Sequence, residues 1–231
     1  MSYTRLIESQ PADVDTPISI YLKLRDHFER VVLLESNDFE SAHNCHSYIC
    51  CDALQSIRVH GGVISTAGVN GRTATEVPAH TMLSTLKAMT SNVVVTGEQA
   101  FALPVTGYFG YIGYDAVKYF EEIEVASADG SGIPNIALDF FRYVIAFDHF
   151  RQTIHIVEHR PAGHSSGIPH IKSLIYRADI LNTPFRLQGR PESNMSDAEY
   201  LAHVKAGKDH CQRGDVFQVV LSRRFQQAFR G

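Results

Sequence analysis

Nothing in this 231-residue chain approaches the about 18 consecutive apolar residues of a membrane-spanning helix, so that class of membrane protein is excluded. The start, Met1 to Glu8, lacks the apolar core of a secretory signal, and cytoplasmic residence is expected. Basic runs and Arg-rich faces are missing as well. The formal charge is −4, from 21 Lys and Arg against 25 Asp and Glu, which leaves no phosphate-binding footprint for nucleic acid. Four cysteines, two of them adjacent as Cys50 and Cys51, are too sparse for a disulfide framework and should be free thiols in a reducing compartment. There is no G-x-S-x-G nucleophile elbow, no C-x-x-C pair, no repeat and no low-complexity tract. What is present is 44% hydrophobic residues, ample for the core of one large or two small soluble globular domains.

Thr16 and Pro17 read as N-cap and first residue of a helix to about residue 29, with Ile18, Tyr21, Leu22, Leu24 and Phe28 as its rough stripe. Short β-like runs follow at Val31–Leu34, Ser47–Cys51, Gln55–Val59 and Val63–Val69, punctuated by Gly61-Gly62 and Asn70-Gly71. They suggest an antiparallel meander, covered by a helix from about Ala79 to Met89. Residues Glu121 to Asn135 read as a loop. The alternation of Phe141, Tyr143, Ile145 and Phe147 predicts a long strand, with Thr153–Glu158 returning beside it as a hairpin. Ile168, Ile171, Leu174, Ile175, Ala178 and Leu181 mark a second amphipathic helix. Pro184, Gly189 and Pro191 make 183–195 a linker, and Ser196 with Glu199 forms a capping box for a helix ending at Gly214. After it, Phe217, Val219, Leu221 and Phe225 alternate with Gln218, Ser222 and Arg224 as a final strand.

The densest group of metal-ligand types is His43, Cys45, His46, Cys50 and Cys51, which invites a zinc site. If 47–51 is a strand, however, Cys50 and Cys51 point to opposite faces and cannot share one ion, so no metal ligands are assigned. Gly107-Tyr-Phe-Gly-Tyr-Ile-Gly-Tyr-Asp115 has glycine every third residue, unlike a dinucleotide loop, and reads as a strand or bend where backbones approach closely. The run Val31-Val-Leu-Leu-Glu-Ser-Asn37 ends an apolar strand in a carboxylate and a hydroxyl. Taken alone that is a strand running out to solvent.

Together, Leu33-Leu34-Glu35-Ser36, the Gly107–Asp115 segment, Phe141-Arg142-Tyr143-Val144-Ile145-Ala146-Phe147-Asp148-His149 and Gly214–Phe225 resemble anthranilate synthase component I, among the chorismate-utilising enzymes, over essentially the whole chain. The resemblance implies an α+β fold of antiparallel sheets packed face to face with outer helices. It implies a regulatory domain at 1–182, the linker at 183–195 and the start of a chorismate-binding catalytic domain at 196–231, making this an amino-terminal piece that is inactive by itself. The whole protein would make anthranilate and pyruvate from chorismate with ammonia from a glutamine amidotransferase subunit, component II. Mg²⁺ would sit on ligands downstream of this chain, together with the other catalytic residues.

The Leu-Leu-Glu-Ser strand resembles the part of that family that binds L-tryptophan as feedback inhibitor, so Leu34, Glu35, Ser36 and Ser47 are the implied tryptophan residues. Glu35 suits the ligand's ammonium, and the hydroxyls of Ser36 and Ser47 its carboxylate. His46 stands where relatives carry Lys or an aromatic residue. Gln218 occupies the strand position where isochorismate and salicylate synthases place a lysine that activates water. A neutral amide cannot be that base, which favours the ammonia-using branch and makes Gln218 a possible active-site strand residue. Aminodeoxychorismate synthase component I, or a stand-alone amino-acid-binding module without catalysis, are the alternatives.

Overall fold

Apolar residues on both sides of the strand at 136–148 place it at the centre of the fold. In a computed structural model describing residues 1–36, 45–68, 71–97, 103–123, 132–176, 180 and 184–231, the chain divides into two compact units, Met1–Ile180 and Leu181–Gly231. Residues 124–131 of the predicted loop at 121–135, residues 69 and 70 at the end of the predicted fourth β-run and in its turn, and 177–179 and 181 at the end of the predicted second helix lie outside the described residues.

The first unit is built on a nine-stranded sheet. Its strands are β1 (Ser2–Pro11), β2 (Val31–Leu34), β3 (His46–His60), β4 (Val63–Gly68), β5 (Gly71–Glu76), β6 (Val94–Gly97), β7 (Tyr108–Ile112), β8 (Ile136–Asp148) and β9 (Thr153–Pro161). The order is β5-β4-β3-β8-β9-β1-β6, with β2 also on β3 and β7 on β8. The β1–β6 pair is parallel and the other described pairs are antiparallel. The predicted meander and the β8–β9 hairpin are both present. Strand β1 was not expected, because its mixed sequence buries only Tyr3 and shows no clean alternation.

Strand β3 joins two runs that the sequence suggested as separate strands. The join is a β-bulge: the register to β8 shifts between Ala53 and Gln55, and Asp52 takes φ +62°. Successive residues of β8 feed two cores. Tyr143, Ile145 and Phe147 meet Ile49, Ile156 and the helices α1 (Pro17–Leu24) and α3 (Ile168–Ile175), whereas Val144 and Ala146 join Cys50, Val157 and Val105. A third cluster joins Ile57, Val59 and Ile64 to Met82 and Leu86 of α2 (Ala79–Ser91) and to Tyr119 of a short 3-10 helix at Tyr114–Tyr119. Thr16 and Ser19 form the α1 capping box, but the helix stops at Leu24, short of 29, and leaves Phe28 to pack against Tyr143 at 6.3 Å.

The second unit pairs β10 (Arg186–Ser193) with β11 (Phe225–Arg230) beside α4 (Asp197–Arg213). The expected Ser196–Glu199 capping box and the left-handed cap at Gly214, φ +79°, are both there. Two expectations are corrected. The linker at 183–195 contains β10, whose Gly189 and Pro191 sit in a bulge between Gln188 and Glu192 rather than in an unpaired tether. The final strand starts at Phe225, not Phe217, because in this unit β10 supplies the paired edge and takes 225–230.

His159 is fully buried under Phe140, with its ring nitrogens at 2.8 Å from the Phe141 carbonyl oxygen and 3.1 Å from the Thr106 hydroxyl. A carbonyl only accepts, so Nδ1 carries the proton and Nε2 accepts from Thr106. Burial lowers the pKa of His159, and that of half-buried His155 moves the same way for the same cause. The unfolded chain therefore takes up protons that the folded one does not. Stability should be complete above the ordinary histidine value of about 6.5 and fall as the pH drops below it. Urea melts between about pH 7.5 and 5 should show that slope, reduced in His159→Gln. An equal slope in the variant would remove His159 as a source.

Candidate functional site

Strand β2 lies antiparallel on β3, from Val31 opposite Cys51 to Leu34 opposite Tyr48, and the ladder ends one step short of Glu35 and Ser47. Alternation divides the residues singled out by sequence. Leu34 follows Val32, which packs with Tyr48, Cys50 and Ala146. Ser47 shares the opposite face with Ile49 and Phe147, toward α1. Its buried hydroxyl is 2.8 Å from Nε2 of His149, whose ring stacks on Phe147 and whose amide donates to the Cys45 carbonyl at 3.0 Å. Glu35 is exposed and Ser36 half-buried. Leu34, Glu35 and Ser36 are thus brought to one end of the sheet, beside β3, with Ser47 turned to the other face.

On the face of Leu34 the structure assembles a polar group that motif reading did not join up. His46 is buried, with Nε2 3.8 Å from Oδ2 of Asp148 and no hydrogen-bond partner on that nitrogen among the described residues. Asp148 is buried too, and accepts the Arg151 amide at 2.8 Å and the Arg151 guanidinium at 2.9 Å. Burial opposes its charge, but the Arg151 bonds outweigh this and hold the carboxyl below the usual range. His155, opposite Ala146 on β9, has Nδ1 2.7 Å from the Ser9 hydroxyl. The available signal was the charged pair Asp148-His149 interrupting an apolar strand at its turn. Around the turn, Asp15, Thr16, Phe147, Asp148 and His149 line a cleft of about 390 Å³.

Gln218 is exposed, in the non-strand stretch between α4 and β11. The Gly107–Asp115 segment is a strand of close approach: β7 lies on β8, with Gly110 opposite Leu138. No group of three or more His, Cys, Asp or Glu among the described residues could hold a metal, and Cys50 and Cys51 pack in different cores. His43 lies outside the described residues. No described helix is long and apolar enough to cross a membrane.

Carboxylates, hydroxyls and imidazoles thus gather near one end of a mostly antiparallel sheet in an α+β fold. The chain belongs to the chorismate binding enzyme family, whose profile matches residues 38–231. It is similar to anthranilate synthase component 1 of Acinetobacter calcoaceticus, 26% identical over 95% of this chain and 46% of that protein, and of Thermus thermophilus, 28% identical over 92% and 45%. Aminodeoxychorismate synthase component 1 of Salmonella typhimurium is 24% identical over 89% of this chain and 44% of its own length. In fold it matches the crystal structure of anthranilate synthase component I from Streptococcus pneumoniae, with TM-score 0.54, 24% identity and coverage of 92% of this chain and 47% of that one. The chain spans just under half the length of these relatives.

Proposed function

We propose that this chain is the tryptophan-sensing portion, with the opening of the chorismate domain, of an anthranilate synthase component I. The whole protein would convert chorismate to anthranilate and pyruvate in tryptophan biosynthesis, taking ammonia from a glutamine amidotransferase subunit, in the cytoplasm. Residues 1–182 would sense the end product, and 196–231 would begin the catalytic domain. The observation that carries this reading is the run of sequence similarity to anthranilate synthase component 1 proteins over more than nine-tenths of the chain. The Mg²⁺ such an enzyme would use would sit on ligands outside this chain, whose described residues hold no group of three or more His, Cys, Asp or Glu able to bind a metal.

At the sensing site, Glu35 is exposed at the end of β2, free to face a ligand's ammonium, and Ser36 and Leu34 stand beside it. The chain has no tryptophan of its own, so a shift in the ligand's indole emission on binding is not masked by protein tryptophan. Calorimetric and fluorescence titration with L-tryptophan should give saturable binding, with L-phenylalanine much weaker. Losing a hydrogen bond to a charged group costs about 1.5–3 kcal/mol, so Glu35→Ala should weaken binding by about 10- to 100-fold and Ser36→Ala by less. Undiminished binding in Glu35→Ala would overturn the assignment of this strand. Absence of binding both by this chain and by a protein of the relatives' full length would overturn tryptophan sensing itself. The match to an aminodeoxychorismate synthase component 1 supports a second reading in which the same fold serves that reaction. Anthranilate fluorescence from the full-length protein with chorismate and ammonia separates the two.

A further inference from the structure

Away from the end of β2, the bulge in β3 opens a second polar cleft. It measures about 180 Å³ and is lined by Phe28, Glu29, Arg30, Asp52, Ser56 and Arg72 among others. Two features of it are costly unless used. Asp52 holds φ +62° in a long central strand, a conformation uncommon for a non-glycine residue, and it lines the cleft beside the bulge. Behind the cleft, one buried carboxylate serves two guanidinium groups: Asp139 accepts from Arg30 Nη1 at 2.6 Å and from Arg58 Nη2 at 2.8 and 3.0 Å. That triad carries a net positive charge in a partly desolvated place.

Arg30 Nη1 also donates to the Ser56 hydroxyl at 2.8 Å, which fixes the guanidinium at the cleft wall. Among the described residues its Nε and Nη2 meet no hydrogen-bond partner, and neither does the side chain of exposed Arg72. Among the described residues the one cation close to Asp52 is Arg142, its Nη1 at 3.9 Å, and that arginine is committed to Glu158. The cleft is therefore bipolar, its lining bringing together the guanidinium groups of Arg30 and Arg72, the Ser56 hydroxyl and the carboxylates of Asp52 and Glu29.

We propose that this cleft binds a small zwitterion of the α-amino-acid type, its carboxylate on Arg30 and Arg72 and its ammonium on Asp52. A bidentate guanidinium–carboxylate contact and a charge-assisted ammonium contact are the strong pairings such a ligand offers. The cleft is small, about 180 Å³, which suits a ligand with few side-chain atoms. This site is separate from the tryptophan proposal and does not rest on it.

The probe is L-serine, titrated into the ¹⁵N-labelled chain and followed by amide chemical shifts, with acetate and methylammonium as single-charge controls. Saturable shifts are expected at Asp52, Ser56, Gly68 and Arg72, at least about tenfold weaker in Asp52→Asn and in Arg72→Gln. Asparagine tolerates the positive φ and Arg72 is exposed, so both variants should fold as the parent does. Glu35→Ala should leave the L-serine titration unchanged while weakening any tryptophan response by about 10- to 100-fold, which keeps the two readings distinguishable. The proposal is overturned by a lack of saturable shifts, by equal affinity in both variants, or by acetate binding as tightly as L-serine.

Discussion

Replacing Glu158 by alanine is expected to cost the first unit about 3–5 kcal/mol, the range for removing one partner from a buried ion pair. Glu158 is fully buried on β9 and accepts five hydrogen bonds. They come from Arg142 Nε at 3.0 Å and Nη2 at 2.8 Å, the Ser166 hydroxyl at 2.8 Å and the Gly167 amide at 3.0 and 3.1 Å to its two oxygens. Alanine would leave the Arg142 guanidinium, only partly exposed, facing a hole without its counter-charge. It would also free the turn that starts α3, whose Ile168, Ile171, Leu174 and Ile175 fill the core beneath β3, β8 and β9. Urea melts followed on β8–β9 signals should show the loss, and α3 amides should exchange with solvent faster. Glu158→Gln keeps part of the acceptor set and should fall between. An alanine variant within about 1 kcal/mol of the parent would show that the network contributes little net stability.

Gly110→Ala should cost about 2–4 kcal/mol, from backbone strain and overpacking together. A Cβ on Gly110 would stand 1.9 Å from the Ala137 carbonyl oxygen and 2.9 Å from its carbon, and the glycine holds φ +152°. Both obstructing atoms are backbone of the most buried strand, so β8 cannot yield and β7 must move. Tyr108 and Phe109 would then leave Phe140 and Tyr48, whose ring centroids lie at 5.8 and 5.9 Å. Gly61→Ala is the control: its φ is +57° but nothing lies within 4 Å of the added carbon, so only the left-handed penalty of about 1–2 kcal/mol applies. Equal costs for the two variants would mean that the β7–β8 contact is not tight in solution.

The Gly107–Asp115 motif illustrates how far local reading reaches. A glycine every third residue announced close backbone approach, and the partner turned out to be β8. What announced itself in the sequence was local: the Ser196–Glu199 box, the Gly214 cap, the β8–β9 alternation and the turn glycines between β3 and β4. Each rests on interactions within about ten residues, so the residues carry the information themselves. Leu34, Glu35 and Ser36 were likewise legible as a strand ending in polar groups, and the likeness to relatives lent them a role.

The rest depended on which segments met. Strand β1 is a strand because β9 and β6 flank it, not because of its own pattern. Residues 225–230 pair where 217–224 would have on apolar alternation alone, because pairing needs an edge and β10 offered it there. His46 meets Asp148 across 102 positions of chain, and Arg30 and Arg58 converge on Asp139 from β2's approach and from β3. Asp52 lay between two predicted runs and carried no local signal, and the bulge of β3 set it in the lining of the cleft. Long-range pairing brings such groups together, and burial then sets their charge and their worth, neither of which is written in any one segment.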